Sequence, residues 1–236
     1  MPVLEALQDE RLHVDKVVIA RNAHGTSVEE IRASATDRGV LVEDASPEHV
    51  TKLARNGKQH QGVVADVVSP RMDQLTSWLA GDVPDDALVL VLHGVANPAN
   101  VGMILRSAVA AGADGIVLPR RGSPDLTPVV VKASAGVAFV APVLRCTEPD
   151  EGIDLLARSA FAIVGLDAAA ERSIYAPLPE GRVALVVGNE TNGFDASARR
   201  RIPEWRHIPM AEGAESLNVA CAATVAVFEI SRRRAR

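Results

Sequence analysis

Aromatic residues and cysteines are both scarce in this chain of 236 residues, which has four Phe, two Trp, one Tyr and two Cys. Apolar residues nevertheless make up 47% of the chain, so the core must be built from Val, Ala, Leu and Ile. Cys146 and Cys221 are two isolated cysteines, which make neither a disulfide framework nor a zinc site. We expect both to be small core residues, and we expect no metal centre.

Long apolar runs and excess basic charge are also missing. No apolar run approaches the roughly 20 residues of a membrane span, and the N-terminal segment MPVLEALQDERLHVDK carries charges where a signal peptide needs an apolar stretch. We therefore expect a cytoplasmic protein that contacts no membrane. The net charge of −5 differs from that of a freely basic nucleic-acid binder, so any RNA contact must come from local patches. Three arginine patches are candidates, although each could equally be a solvated surface: Arg120-Arg121, Arg199–Arg201 and Arg232–Arg234.

Several catalytic signatures are absent as well. The chain has no G-x-G-x-x-G fingerprint after a strand, no G-x-x-x-x-G-K-[ST] loop, no H-E-x-x-H and no G-x-S-x-G. Their absence disfavours dehydrogenases, NTPases, metalloproteases and α/β-hydrolases.

A β-α-β-α-β pattern covers residues 1–68 and predicts a small α/β domain. The predicted strands are Lys16–Ala20, Gly39–Glu43 and Gly62–Val68. Ser27 and Glu30 have the spacing of a capping box that opens a helix over Val28–Asp37. A second helix is expected to begin at Ser46-Pro47, because serine caps helices and proline suits the first helical position.

Residues 69–86 are expected to be a linker. Ser69-Pro70 breaks the pattern, and the segment then holds a short helix over Met72–Leu79 and the polar run GDVPDD.

Residues 87–236 predict a second α/β domain with a parallel sheet. The run Leu88–Leu92 is almost purely aliphatic, as in strands that are buried on both faces by helices. Further strands are predicted at Gly115–Leu118, Ala138–Leu144, Phe161–Val164 and Val183–Val187. Helices are predicted at Asn100–Ala111, Pro128–Ser134, Ile153–Ser159 and Leu217–Arg233.

Three polar turns follow these strands. If Asn100 in the first turn, NPANVG, caps its helix, Arg106 lies within the first two helical turns and can point towards the strand ends, where open parallel sheets bind ligands. In the second turn, GNETNG, two glycines permit close backbone approach to a ligand and Glu190 supplies an acceptor, although the turn could equally be a plain loop. In the third, Ser216 and Asn218 begin the last helix, and Ser216 alone could be an ordinary cap.

Together, in this order, the three turns resemble the motifs of the TrmH (SpoU) branch of the SPOUT methyltransferases. That family transfers a methyl group from S-adenosylmethionine (SAM) to the ribose 2′-hydroxyl of tRNA or ribosomal RNA. The resemblance spans about residues 88–232. It is carried by Asn100 and Arg106, then by Gly188, Asn189, Glu190 and Gly193, and finally by Ile208, Pro209, Met210, Ser216, Leu217 and Asn218. The first domain looks like the small RNA-binding domain of a subgroup that methylates 23S rRNA.

The resemblance implies a parallel sheet with a C-terminal trefoil knot, a homodimer, and SAM bound in the knotted region. The implied cofactor-binding residues are Leu166, Gly188, Asn189, Gly193, Ile208, Met210 and Leu217. The implied catalytic residues are Arg106, Asn100, Glu190, Ser216 and Asn218. Because arginine is nearly always protonated, we expect Arg106 to anchor phosphate and stabilise the developing alkoxide rather than act as a simple base. It could also complete the partner's site.

Two departures from the family pattern concern the turns. Thr191 stands where relatives often have Gly, and Glu212 and Glu215 add negative charge where relatives often carry a glycine-rich run. An rRNA 2′-O-methyltransferase is the leading hypothesis. The alternatives are a tRNA enzyme of the same branch, a ribosomal antibiotic-resistance methyltransferase, and a noncatalytic RNA-binding assembly factor.

Overall fold

The computed structural model describes residues 2–10, 12–54, 60–68, 72–189, 192–213 and 216–234. The chain divides into two compact units, residues 1–70 and 71–236. Within the described ranges, no helix is both long and apolar enough to cross a lipid bilayer.

The first unit is a three-stranded sheet with three helices. Its elements are α1 (Pro2–Gln8), β1 (His13–Ala20), α2 (Thr26–Asp37), β2 (Leu41–Ala45), α3 (Pro47–Ala54) and β3 (Val63–Val68). Strand β1 lies in the centre, parallel to β2 and antiparallel to β3. The predicted β-α-β-α-β order is confirmed, and α1 is an additional helix. The Arg38 guanidinium ties α1 to the end of α2, because it donates hydrogen bonds to backbone carbonyls from Ala6 to Leu12.

Two local predictions in this unit are wrong. Helix α2 follows Gly25 and has no side-chain cap, so the Ser27/Glu30 capping box does not form. Gly39 does not begin a strand: its φ is +67°, and the next N–H, of Val40, still bonds to the carbonyl of Ala35 in α2. Gly39 therefore ends the helix in the left-handed conformation that glycine favours, and β2 begins two residues later.

The second unit is an eight-stranded sheet flanked by helices. Its first half comprises β4 (Met72–Gln74), α4 (Leu75–Leu79), β5 (Leu88–Leu92), α5 (Pro98–Ala110), β6 (Gly115–Val117), α6 (Pro128–Ala133) and β7 (Val143–Arg145). Its second half comprises α7 (Pro149–Arg158), β8 (Ala162–Leu166), β9 (Arg172–Ser173), β10 (Val183–Val187), α8 (Ala196–Arg201), β11 (Glu204–His207) and α9 (Val219–Arg234).

Every strand pair in this sheet is parallel, and the strand order is β4-β7-β6-β5-β10-β8-β11-β9. The predicted α/β class with a parallel sheet is confirmed. Strand β5 is fully buried on both faces: Leu88, Leu90 and Leu92 face one core, and Val89 and Val91 face the other. Helices α5, α6 and α9 cover the first face, and α4, α7 and α8 cover the second. The parallel strands place their carboxyl ends along one edge, where ligands bind in such sheets.

Two segments of the second unit have a secondary structure that differs from the predicted one. The strand expected over Ala138–Leu144 is a short 3-10 turn at Val137–Phe139, followed by β7. Gly136, at φ +81°, opens that turn, and a short apolar run alone cannot distinguish a strand from a buried turn. The helix expected over Met72–Leu79 is divided, because its first three residues pair with β7 as β4. Part of the segment expected to be a linker thus belongs to the second unit's sheet.

Two further expectations concern single residues. Asn97, and not Asn100, caps α5: its Oδ1 accepts hydrogen bonds from the N–H groups of Ala99 and Asn100. The helix therefore begins earlier, and Arg106 lies in its third turn. Cys146 is buried, and burial raises the pKa of its thiol to about 11, but Cys221 is exposed on α9 and is not a core residue.

Candidate active site

A cleft of about 270 Å³ opens at the carboxyl ends of β8, β10 and β11, beside the start of α9. Three segments of chain form its walls: the end of β8, the loop after β10, and the segment between β11 and α9. The lining residues are Leu166, Asp167, Ala168, Val187, Gly188, Asn189, Gly193, Phe194, Arg199, Ile208, Met210, Ser216, Leu217, Val219 and Ala222. Main chain and aliphatic side chains predominate, which is typical of small-ligand clefts.

All seven of the expected cofactor-binding residues line this cleft. Of the expected catalytic residues, Ser216 also lines it, whereas Asn100, Arg106 and Asn218 do not. Glu190, together with Thr191 of the same turn and Glu215 of the third loop, lies outside the described residues.

Gly188, the first residue of the second polar turn, packs against the ring of Phe194 in the cleft wall. A Cβ built on Gly188 would lie 2.8 Å from Cε2 of Phe194, which is itself buried. Phe194 in turn packs edge-on against Trp205, with ring centroids 4.9 Å apart. The Gly188 backbone therefore packs directly against the Phe194 ring, at a distance that leaves no room for a side chain.

Asn189 connects the second motif to the first. Its Nδ2 donates to the carbonyl of Gly94, 2.8 Å away in the loop after β5, and its Oδ1 accepts from the N–H of Asn192. Its backbone forms a bridge with Gly193, whose φ of +61° lets the turn close. The side chain that the sequence suggested for cofactor binding thus also fixes the turn's shape.

Asn218 connects the third motif to the first. Its Oδ1 accepts from the N–H groups of Ala220 and Cys221 and so caps α9. Its Nδ2 donates to Oδ1 of Asn100, 3.1 Å away on α5. Asn100 itself is buried. Asn100 and Asn218, which do not line the cleft, therefore connect α5 to the start of α9 beside it.

Arg106 is exposed in the third turn of α5. Its side chain makes no hydrogen bond or ion pair with any residue in the part of the chain that the structure describes. Its guanidinium is therefore available to an external anion, but not at the cleft of its own chain.

Asp167 and Arg199 form an ion pair in the cleft wall that the motif reasoning missed. Nη2 of Arg199 lies 2.6 Å from Oδ2 of Asp167, and its guanidinium stacks 5.1 Å from the ring centroid of Trp205. The pair adds one carboxylate and one guanidinium group to a wall that consists mainly of main chain and aliphatic side chains. An aspartate directly after a buried aliphatic strand is the signal that could have revealed it.

The arginine patches differ in their contacts. Arg199 and Arg201 are paired with carboxylates, as is Arg121 with Glu148. Arg232 and Arg233 bind Glu229, and Arg234 lies near Asp114. Within the described residues, the side chains of Arg120 and Arg200 have neither a hydrogen bond nor an ion pair. Most of the cationic residues in these patches thus support the fold.

A partly buried polar cluster lies beside Phe194 of the cleft wall. The rings of His93 and Phe194 are tilted with centroids 5.5 Å apart, and Nε2 of His93 lies 3.2 Å from Oδ1 of Asp150. Burial alone would raise the pKa of Asp150, but hydrogen bonds from Ser197 and His93 and the charge of Arg201 together lower it. No group of three or more His, Cys, Asp or Glu side chains in the described ranges could hold a metal ion.

Comparison with known proteins decides the family. A model described as "SpoU rRNA Methylase family" matches residues 87–228, and one described as "RNA 2′-O ribose methyltransferase substrate binding" matches residues 1–72. The chain belongs to the SpoU rRNA methylase family. This membership confirms an RNA ribose 2′-O-methyltransferase that uses SAM as its methyl donor, as the three motifs predicted.

Individual relatives match along most of the chain. A 23S rRNA (guanosine-2′-O-)-methyltransferase, RlmB, from Xylella fastidiosa is 32% identical, covering 98% of this chain and 94% of its own. The SpoU methyltransferase AviRb from Streptomyces viridochromogenes, in complex with AdoMet, is 28% identical, with a TM-score of 0.76 over 99% of this chain and 88% of its own. A structure described by 2-OH methylation of C/U34 on tRNA is 27% identical, with a TM-score of 0.57, and covers 64% of this chain and 98% of its own.

Proposed function

We propose that this protein methylates the ribose 2′-hydroxyl of a guanosine in 23S rRNA. The observation that carries the proposal is the match to the Xylella enzyme, which extends over both units of the chain. Residues 1–68 would bind the RNA and residues 87–236 would catalyse the transfer. The substrate would place the activity in the cytoplasm.

The first unit favours rRNA over tRNA. The structure concerned with tRNA covers 98% of its own length but only 64% of this chain. That share corresponds in size to the second unit, so the tRNA comparison leaves about a third of this chain unmatched. The match to the AdoMet-bound SpoU methyltransferase AviRb covers 99% of this chain.

The cleft suits SAM. Gly188, Ile208 and Leu217 would hold the adenine and ribose through backbone groups and aliphatic contacts, because the missing side chain at Gly188 leaves main chain bare on the Phe194 ring. Asp167 and Arg199 would meet the polar parts of the ligand. When bound, SAM supplies a sulfonium methyl that is already activated for transfer.

The chain's own contribution to catalysis is positioning and charge. Arg106 would bind phosphate beside the target ribose and stabilise the alkoxide that develops on its 2′-oxygen, as a permanently protonated guanidinium can. Ser216 and Glu190 would orient the ribose. Asn100 and Asn218 would fix α5, which carries Arg106, against α9.

A homodimer is the assembly that we propose. Arg106 is exposed on α5 and does not line the cleft of its own chain, which supports a role at the partner's cleft. Met103 and Phe228 are exposed by 40% and 46% on α5 and α9, two helices that pack together. Exposed apolar side chains of this size on adjoining helices are typical of an interface.

We also propose the trefoil knot that the resemblance implies. Strand β11 lies outside β8, yet α9 returns to pack against α5 and β5. The segment between β11 and α9 therefore crosses the carboxyl edge at the cleft, a path that supports threading through the loop after β10.

Methyl transfer from labelled SAM to purified RNA tests the function. We expect incorporation into 23S rRNA and none into tRNA. Incorporation into tRNA alone would favour a tRNA 2′-O-methyltransferase of the same branch. Absence of SAM binding at millimolar concentration in calorimetry would favour a noncatalytic RNA-binding factor.

Mixing two inactive variants tests the dimer. If Arg106 acts at the partner's cleft, Arg106→Ala mixed with a Gly188 variant that cannot bind SAM should recover part of the wild-type rate, because mixed dimers contain one intact site. A mixture that stays inactive while exchanging subunits would place Arg106 in its own chain's site.

A further inference from the structure

Arg145, the last residue of β7, is an arginine buried with incomplete pairing. Its side chain is 3% exposed. Nη2 donates to Oδ1 of Asp125 at 2.8 Å, whereas Nη1 is buried and has no hydrogen-bond partner in the described part of the chain. A buried guanidinium with an unmade hydrogen bond is costly. Such a cost is typical of a side chain that is kept for a ligand.

The partner of Arg145 is weakly held. Asp125 lies in the loop between β6 and α6, and its side chain is 77% exposed. Because the Asp125 carboxylate is largely exposed to water, solvent screens its attraction to Arg145. The carboxylate could therefore leave Arg145 when a stronger anion arrives.

A second cation and a second unpaired donor lie in the same loop. Arg120 is exposed, and its side chain has no hydrogen bond or ion pair among the described residues. Burial lowers the pKa of Arg145, and the nearby charge of Arg120 lowers it further. Ser123 Oγ is buried without a partner. Two like charges and an unpaired hydroxyl gathered at one place are complementary to a phosphate.

The location fits an RNA strand. Arg120 follows β6 and Arg145 ends β7, so both lie at the carboxyl edge that carries the cleft, but on the other side of β5. A Cβ built on Gly122 of this loop would lie 3.6 Å from Cα of Gly94, whose carbonyl accepts from Asn189 in the cleft wall. The loop between β6 and α6 thus lies against Gly94, which precedes the first motif and is hydrogen-bonded to Asn189 of the second.

We propose that Arg120, Ser123 and Arg145 form a binding site for one phosphate of the substrate RNA backbone. Asp125 holds the Arg145 side chain in place until the RNA phosphate replaces its carboxylate. The site rests on the proposed function, because it serves the same RNA substrate, and it adds a contact that none of the three motifs contains.

Opposite charge changes test the site. The affinity of each variant for a 23S rRNA fragment is measured as a function of salt concentration. Arg120→Gln should weaken binding roughly threefold to tenfold and reduce the slope of log affinity against log salt by about one, because one phosphate contact is lost. Asp125→Asn should strengthen binding by a similar factor, because the competing carboxylate is gone. The SAM affinity should change in neither variant, which verifies that each is folded.

Matched controls lie at the opposite edge of the sheet. Arg158→Gln and Asp82→Asn make the same charge changes at exposed positions before β8 and β5, and we expect less than a twofold effect. If the controls match the loop variants, or if Asp125→Asn weakens binding, the phosphate site is overturned while the methyltransferase function stands. A wild-type protein that neither binds nor methylates rRNA would overturn the proposed function and the site with it.

Discussion

Arg106 combines exposure with the absence of any partner in the described residues, so its charge serves no part of the described fold. We predict that Arg106→Ala keeps the SAM affinity, because Arg106 does not line the cleft, and lowers kcat by roughly 10²–10³-fold, as the loss of one preorganised charge at a developing oxyanion does. Calorimetry with SAM and single-turnover methyl transfer measure the two effects separately. Near-normal turnover would remove Arg106 from the catalytic role.

Gly188 is the residue on which the cofactor cleft depends most. We predict that Gly188→Ala lowers the SAM affinity at least tenfold, because the added Cβ meets the Phe194 ring at 2.8 Å and displaces either the turn or the cleft floor. Gly81→Ala is the matched control, since a Cβ there meets its nearest atom at 3.4 Å and lies outside the cleft. Calorimetry that gives both variants wild-type affinity would contradict this assignment.

At the residue scale, the expected cofactor-binding residues line the cleft, whereas other lining residues were missed. Apart from Leu166, the expected residues belong to the second and third motifs, so neighbours in sequence reach the cleft together. Asp167, Phe194 and Arg199 reach the same cleft from positions that no turn pattern marks. Asn100 was expected to be a cap, but Asn97 holds that position because proline at residue 98 is preorganised for the first turn.

Helix α9 depends on Asn218 for two separate contacts. We predict that Asn218→Ala lowers the free energy of unfolding by about 1 kcal/mol, because the helix loses its cap. Asn218→Asp should keep most of that stability, since a carboxylate also accepts the capping hydrogen bonds, yet lose the donor to Asn100. Urea unfolding and turnover of the two variants separate the contacts. An aspartate variant with full activity would show that the bond to Asn100 is dispensable.

The C-terminal end of α9 is fixed by Glu229. Hydrogen bonds from Arg232 lower the pKa of its carboxyl from 4.5 to about 2, burial opposes the shift, and Arg233 adds to it. A lowered folded-state pKa stabilises the protein above pH 4.5, and this contribution is lost as the pH falls towards 2. We predict that Glu229→Gln lowers the free energy of unfolding by about 1–2 kcal/mol at pH 7.

Urea unfolding at several pH values checks this effect. The difference between Glu229→Gln and the wild type should narrow as the pH falls from 4.5 towards 3, whereas the exposed control Glu180→Gln should differ little at any pH. A difference that is constant over that range would mean that Glu229 stabilises α9 by packing and not by charge.

At the element scale, strands that are buried on both faces were the most predictable. The aliphatic runs at Leu88–Leu92 and Val183–Val187 are strands with the predicted bounds. The run over Ala138–Leu144 is equally apolar, but its first residues form a 3-10 turn after Gly136 and only Val143 and Leu144 join strand β7. Strand β4 was missed because its three residues are exposed, and their pairing with β7 depends on a contact far along the chain.

At the scale of the whole molecule, the net charge is −5, and most arginines in the described part of the chain are already paired. The ion pairs of Arg121, Arg199 and Arg201 leave few cations for a substrate. Binding would then depend on a small number of positioned guanidinium groups, with shape as the main determinant, as is common for RNA. The composition alone could exclude a basic nonspecific binder but could not indicate which arginines remain unpaired.

Mapping of 2′-O-methylated nucleotides shows whether the protein methylates a ribose in 23S rRNA. Primer extension at low dNTP concentration would be applied to RNA from cells with the wild-type protein, without the protein, and with Arg106→Ala. We predict one stop, at a guanosine in 23S rRNA, that is present only with the wild-type protein. An identical 23S pattern in all three RNAs, or a stop that changes only in tRNA, would contradict it.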